Sequence, residues 1–325
     1  MWDLERDRVI NGIIKHNAKR VLFQGPEGLK RDLEKEIGDI AKYFESTGRD
    51  VELILWGGSS FGACDICDME VKHLNIDLIL HYGHEELPYS KSEIPIIYIP
   101  VYYNPDREHL MGIINDINKI LKKQEQFPII TTTIQFKKIL REYNPIVILG
   151  CRTNINEDMA KDRNIIYIGS GRFHPLMLAY KFKKEITLYN PITRNYSKIE
   201  ENDVDKFIKR RLGVISKLHL CPPKKIGVIL STKRGQCRIN VFNNIIKTLR
   251  EKNINYIPIV LNNISPESLI YDDIDAYIIC ACPRIVLDDH INYKRVILTP
   301  KEFEMYINND FNYVFDEVFL DDFMY

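Results

Sequence analysis

No run of apolar residues in this chain approaches the ~18 needed to cross a bilayer. The longest, such as residues 94–103, are the length of a strand. No excess of either charge exists: 45 basic and 45 acidic residues cancel. Bulk electrostatics therefore give no reason to expect a nucleic-acid binder. No secretory leader is expected either. The opening MWDLERDRVINGIIKH breaks up Trp2, Leu4, Val9, Ile10, Ile13 and Ile14 with charge, the pattern of an amphipathic helix. These absences lead us to expect a cytoplasmic protein with no membrane and no direct nucleic-acid partner.

Several site signatures are absent too. Cys64-Asp65-Ile66-Cys67 is a CxxC, which in a cytosolic α/β protein can be a redox pair or half a zinc site. No second CxxC exists, and Cys280-Ala281-Cys282 has the wrong spacing for zinc. Cys67 is expected on the following helix, facing the core. No CxxxCxxC occurs, the usual cluster signature of radical S-adenosylmethionine enzymes. Gln24-Gly25-Pro26-Glu27-Gly28 is not a phosphate-binding P-loop, because no Gly-Lys-Ser/Thr follows. It reads as a turn.

What is present suits a globular enzyme. Hydrophobic residues make up 45% and charged residues 28% of the 325. That length suggests about two or three domains. A strand at 20–23, a helix at 29–46, strands at 51–55 and 77–81 with a short helix at 66–74 between them, and a strand at 94–101 form a first unit. A last unit repeats this order: strand 225–230, helix 240–252, strand 255–261, a short helix near 266–271 and strand 276–280. The middle is less regular. It has helices at 107–123, 134–142 and 176–181, and strands at 127–131, 146–149, 165–168 and 185–188. A polar stretch at 193–203 and a basic helix to 218 link it to the last unit. Continuous rather than alternating apolar strands argue for parallel sheets covered on both faces. The expected fold class is α/β: three similar domains, at 1–105, 106–205 and 206–325, each a small, mostly parallel sheet flanked by helices, meeting at a central site.

Chemistry gathers where such folds put it, beyond the carboxyl ends of the strands. Cys64, Cys151 and Cys282 each follow a predicted strand, one per unit, beside small residues: Gly62-Ala63-Cys64, Gly150-Cys151, Ala281-Cys282. Small neighbours let a bulky ligand approach the backbone. Thiolates suit soft metals and iron–sulfur clusters. Three protein ligands on a four-iron cluster would leave one iron open to substrate. The competing reading is three unrelated core cysteines. Gly169-Ser170-Gly171-Arg172-Phe173-His174-Pro175 offers backbone donors, a cation and a helix start at Pro175, and Lys233-Arg234-Gly235-Gln236 offers a second such turn. Both are candidate anion sites. His81, His84 and His174 are candidate acid/base groups, or structural hydrogen-bonded residues. A zinc-dependent α/β hydrolase using these histidines is a further option.

At these residues the chain resembles a known family. Phe61-Gly62-Ala63-Cys64-Asp65, Ile148-Leu149-Gly150-Cys151, Gly169 to Pro175, Lys233-Arg234-Gly235-Gln236 and Ala281-Cys282-Pro283-Arg284 are similar, in order, to the motifs of the archaeal 2-(3-amino-3-carboxypropyl)histidine synthases of diphthamide biosynthesis. The resemblance runs from about residue 20 to 289. It implies three homologous α/β domains and one 4Fe-4S cluster, with Cys64, Cys151 and Cys282 as metal ligands; Pro283-Arg284 selects Cys282 over Cys280. It implies S-adenosyl-L-methionine as second cofactor, cleaved between sulfur and the γ-carbon of its methionine part. The 3-amino-3-carboxypropyl radical then adds to C2 of one histidine of translation elongation factor 2. Candidate contacts to S-adenosyl-L-methionine are Gly169, Ser170, Gly171, Arg172 and His174, with Lys233, Gly235 and Gln236. The resemblance further implies a homodimer and an electron donor of unknown identity. A non-catalytic iron–sulfur partner or electron-transfer subunit of the same fold is the alternative.

Overall fold

The computed structural model describes residues 2–150 and 155–323. Cys151 lies outside the described residues. Besides a short antiparallel pairing of Trp2–Asp3 with Tyr102–Tyr103, three larger sheets, dominated by parallel pairing, follow one another along the chain, with helices between their strands.

The first sheet pairs Glu52–Leu55, Arg20–Gln24, Leu78–Tyr82 and Ile96–Ile99 in that spatial order, all parallel. The third pairs Tyr256–Leu261, Ile226–Ser231, Ala276–Cys280 and Val296–Leu298, again all parallel. In chain order each sheet therefore runs second, first, third, fourth. The middle sheet repeats it with Ile146–Val147, Ile129–Thr132, Ile165–Ile168 and Ile186–Asn190, then adds Asn195–Ile199 as a fifth, edge strand. The pattern similarity in the sequence thus reflects one topology used three times. In this order the switch point lies between a sheet's first and third strands, where ligands of open parallel sheets bind.

The strands are buried for the reason their composition suggests. Leu78–Tyr82 and Ile226–Ser231 are buried at every position, as sheets covered on both faces require. Helix Lys30–Ser46 presents Leu33, Ile37, Ile40 and Phe44 to the first core, and helix Ile239–Glu251 presents Phe242, Ile245 and Leu249 to the third. These three- and four-residue spacings form one apolar stripe.

By its internal contacts the chain divides into two compact units. One holds the chain up to Gly150, residues 155–170 and Thr187–Ser197, and so contains the first sheet and most of the second. The other holds Gly171–Ile186 and the chain from Lys198, with the third sheet.

Some elements depart from expectation. The helix expected at 66–74 is a series of turns ending in the 3-10 turn Lys72–Leu74, and the helix expected at 134–142 is two 3-10 turns, Ile134–Phe136 and Arg141–Tyr143. The polar stretch 193–203 is not only a linker. It carries the edge strand Asn195–Ile199, whose first four residues are exposed and show no apolar signal. The helix after Arg172 begins at Phe173, so Pro175 sits inside its first turn, where proline is tolerated. Strand Val296–Leu298 and helix Pro300–Asn308 complete the third sheet's repeat. A capping box marks that helix: Thr299 accepts from the Glu302 amide, and Glu302 accepts from the Thr299 amide. No described helix is long and apolar enough to cross a membrane.

Candidate functional site

In the first unit, Cys64 sits in the long connection after Glu52–Leu55. Lys30 Nζ donates to the carbonyls of Gly57 and Gly58, both at 2.7 Å, and the Asp65 amide donates to the Gly62 carbonyl at 2.9 Å. A Cβ added at Gly62 would lie 3.3 Å from Cys64 Sγ, so the glycine leaves the sulfur its space. Cys64 is half-buried, whereas Cys67 is buried in an apolar cluster with Leu22, Ile66, Val71, Ile76 and Ile79. Burial, reinforced by Glu70, pushes the Cys67 thiol well above its usual range. A metal ligand must be a thiolate, so Cys67 is poorly suited to that work.

Gly150, the residue before Cys151, has a φ of 62°, in the left-handed region that favours glycine. A Cβ there would lie 3.2 Å from Tyr89 Oη. Gly169 is fixed by its amide's bond to the Tyr189 carbonyl at 2.9 Å, and a Cβ on it would strike the Tyr167 ring. The Tyr167 hydroxyl donates to the carbonyl of Ser170, which is itself exposed.

Of the predicted histidines, His81 is sealed in the core and His84 is half-buried beside it. His81 is fully buried, its Nδ1 3.0 Å from Gln24 Oε1 and its Nε2 3.0 Å from His84 Nδ1. Both ring nitrogens are thus used within the protein, leaving none for a zinc ion. Burial lowers the pKa of His81 well below the ordinary value and that of His84 to about 4.

In the second unit, Cys282 lies just past strand Ala276–Cys280 and is half-buried, while Cys280 and Ala281 are fully buried. Burial pushes the Cys280 thiol well up, only partly offset by the Arg238 charge. The Cys237 thiol is raised by burial as well, and Cys221 is exposed at the end of helix Glu201–Leu220. Two expected motifs meet here: the Arg284 guanidinium stands 4.6 Å from the centroid of the Phe173 ring. Gly171 has a φ of 82° with open space around its Cβ position. Arg172 reaches Asp203 at 3.5 Å, and His174 is half-buried.

The 233–236 turn is tightly built. Lys233 donates its amide to Ser231 Oγ at 3.2 Å, and the Gln236 amide donates to the Lys233 carbonyl at 2.8 Å. Lys233 and Gln236 are each only 5% exposed, unusual for a lysine on a loop. Arg238, which the sequence did not single out, is buried behind this turn. It donates to the Ala281 carbonyl at 3.5 Å and to Asp316 and Asp322, joining the turn, the residue before Cys282 and the C-terminal segment.

Among the described residues no three His, Cys, Asp or Glu side chains gather as a metal site. The donors that are described still fit a soft cluster. Cys64 and Cys282 stand half-buried beside small residues after parallel strands, and the neighbouring Cys67 and Cys280 are sealed into cores as thiols.

Residues 25–314 match the model of the family described as "Putative diphthamide synthesis protein". The chain belongs to the diphthamide synthesis family. It is 50% identical to the 2-(3-amino-3-carboxypropyl)histidine synthase of Methanocaldococcus jannaschii, over 99% of this chain and 95% of that protein. It is 32% identical to the synthase of that name from Pyrococcus horikoshii, over 98% and 94%. The crystal structure of Dph2 from Pyrococcus horikoshii is similar with a TM-score of 0.80 at 30% identity, covering 98% of this chain and 95% of that one. The crystal structure of the same protein with a 4Fe-4S cluster gives 0.79 at 31% identity, covering 98% and 94%.

Proposed function

We propose that this transferase of diphthamide synthesis moves the 3-amino-3-carboxypropyl group of S-adenosyl-L-methionine to C2 of a histidine in translation elongation factor 2, the first step of the pathway. Its cluster ligands are Cys64, Cys151 and Cys282. One observation carries most of this reading: in a chain of this family, Cys64 and Cys282, the half-buried cysteines that directly follow an alanine, are the two described ones that fall in the motifs of the resemblance. A 4Fe-4S cluster held by these three thiolates would supply one electron and an open iron for cleaving the bond between sulfur and the γ-carbon, with release of methylthioadenosine.

The chain's own residues position the reactants. The 233–236 turn, with Lys233 and Gln236 buried and the Lys233 amide bonded to Ser231 Oγ, suits the amino-acid end of S-adenosyl-L-methionine. Gly169, Ser170, Gly171, Arg172 and His174 supply a further loop for the same molecule. Arg238 holds the 233–236 turn and the approach to Cys282 in fixed register. We keep the expected division into domains at 1–105, 106–205 and 206–325 as part of this proposal. The working form is a cytoplasmic homodimer served by a separate electron donor; its support is the family resemblance.

The test is incubation of the reduced, iron-loaded chain with S-adenosyl-L-methionine and unmodified elongation factor 2. The factor should gain one 3-amino-3-carboxypropyl group on one histidine. Bound iron with no modification would instead favour an electron-transfer or scaffold subunit of the same fold.

A further inference from the structure

Gln24 ends the first strand of the first sheet, is fully buried, and stands in register with His81 on the third strand, across the switch point. Its side chain has two backbone partners in the Cys64 loop. Nε2 donates to the Asp65 carbonyl at 2.7 Å, and Oε1 accepts the Cys67 amide at 3.3 Å. These partners settle which end of the amide is which, because a backbone N–H needs an acceptor and a carbonyl needs a donor. Oε1 therefore also accepts from His81 Nδ1 at 3.0 Å, so that nitrogen carries the hydrogen. The other nitrogen of His81 meets His84 Nδ1 at 3.0 Å, and the two rings lie 5.1 Å apart. The loop is also tied from within: the Phe61 amide donates to Asp65 Oδ2 at 3.1 Å.

We propose that Gln24 is the positioning residue for Cys64, gripping the loop on both sides of that cysteine's C-terminal flank, and that His81, backed by His84, holds the Gln24 amide in the one orientation that does so. This rests on the reading of Cys64 as a cluster ligand. The same grip explains why residues 66–71 do not become a helix: the Cys67 amide and the Asp65 carbonyl are committed to Gln24 instead of to a helical ladder.

The test compares wild type with Gln24→Met, which keeps the length and loses every bond. In the full-length, iron-free chain, alkylation of Cys64 by iodoacetamide should quicken roughly tenfold, the change that losing one to two buried hydrogen bonds would make. Cys282, in the other unit, should react at its wild-type rate. His81→Asn keeps a donor for Gln24 and should stay near wild type, whereas His81→Phe should follow Gln24→Met; it also carries the test if the methionine variant does not fold. After iron loading, the reduced Gln24→Met protein should show shifted electron-paramagnetic-resonance g-values. An unchanged Cys64 rate, or Cys64 and Cys282 quickening together, would overturn the proposal. If wild type bound no iron while Cys64 still responded, the ligand reading would fail and the grip on the loop would stand.

Discussion

Arg238 forms a two-pronged pair with Asp316, Nη1 to Oδ2 at 2.6 Å and Nη2 to Oδ1 at 2.9 Å. Both side chains are almost fully buried. The pair ties the C-terminal segment to the arginine that also contacts the carbonyl before Cys282. Removing one partner of a buried ion pair strands the other charge. Asp316→Ala should therefore cost about 3–5 kcal/mol of stability. Asp322 stays at 2.9 Å from Arg238 Nε and keeps the loss toward the lower end. Chemical denaturation of the iron-free chain would measure it, and a loss under about 1 kcal/mol would mean the pair is not coupled to the fold.

The histidine pair sets an acid limit. Burial holds the pKa of His84 at about 4, against an ordinary 6.5, and that of His81 well below 6.5 as well. An unfolded chain therefore binds more protons than the folded one between those values, and stability falls as pH drops from about 6.5 toward 4. Replacing His84 with Gln should flatten that part of the stability curve relative to wild type. Parallel curves for the two proteins would mean His84 is not held neutral.

The cysteines should divide sharply. Cys64→Ala, Cys151→Ala and Cys282→Ala should each impair iron binding in anaerobically purified protein, against about four irons per chain in wild type. Cys67→Ala and Cys280→Ala should keep their iron and lose about 1 kcal/mol of stability, since both fill cores. Loss of iron on removing Cys67 but not Cys151 would overturn the ligand assignment.

Gln236→Ala should weaken S-adenosyl-L-methionine binding about tenfold, the worth of 1.4 kcal/mol, with iron content normal. Binding of elongation factor 2 should change little, because a large partner needs an exposed surface and Gln236 is buried. Normal cofactor affinity with lost factor binding would move this turn to the docking face.

How far the sequence could be read depended on how local each signal was. Strand Ile165–Ile168 was legible to the residue, because four consecutive buried apolar residues leave little choice. The edge strand Asn195–Ile199 was not, because its exposed side chains match those of a linker. The small residues beside Cys64 and Cys282 were visible as neighbours in the chain. The residues that hold those loops were not. Gln24 lies 41 positions from Asp65, and Arg238 lies 78 from Asp316, so only the folded chain joins them. The Thr299-Pro300-Lys301-Glu302 cap was a local signal that would have revealed the last helix.

The most direct test is the nucleoside product formed when the reduced, iron-loaded chain meets S-adenosyl-L-methionine alone. Methylthioadenosine should be the main product, because the proposed reaction cleaves the bond from sulfur to the γ-carbon. If 5′-deoxyadenosine dominated instead, the proposed choice of bond, and with it the proposed reaction, would be contradicted.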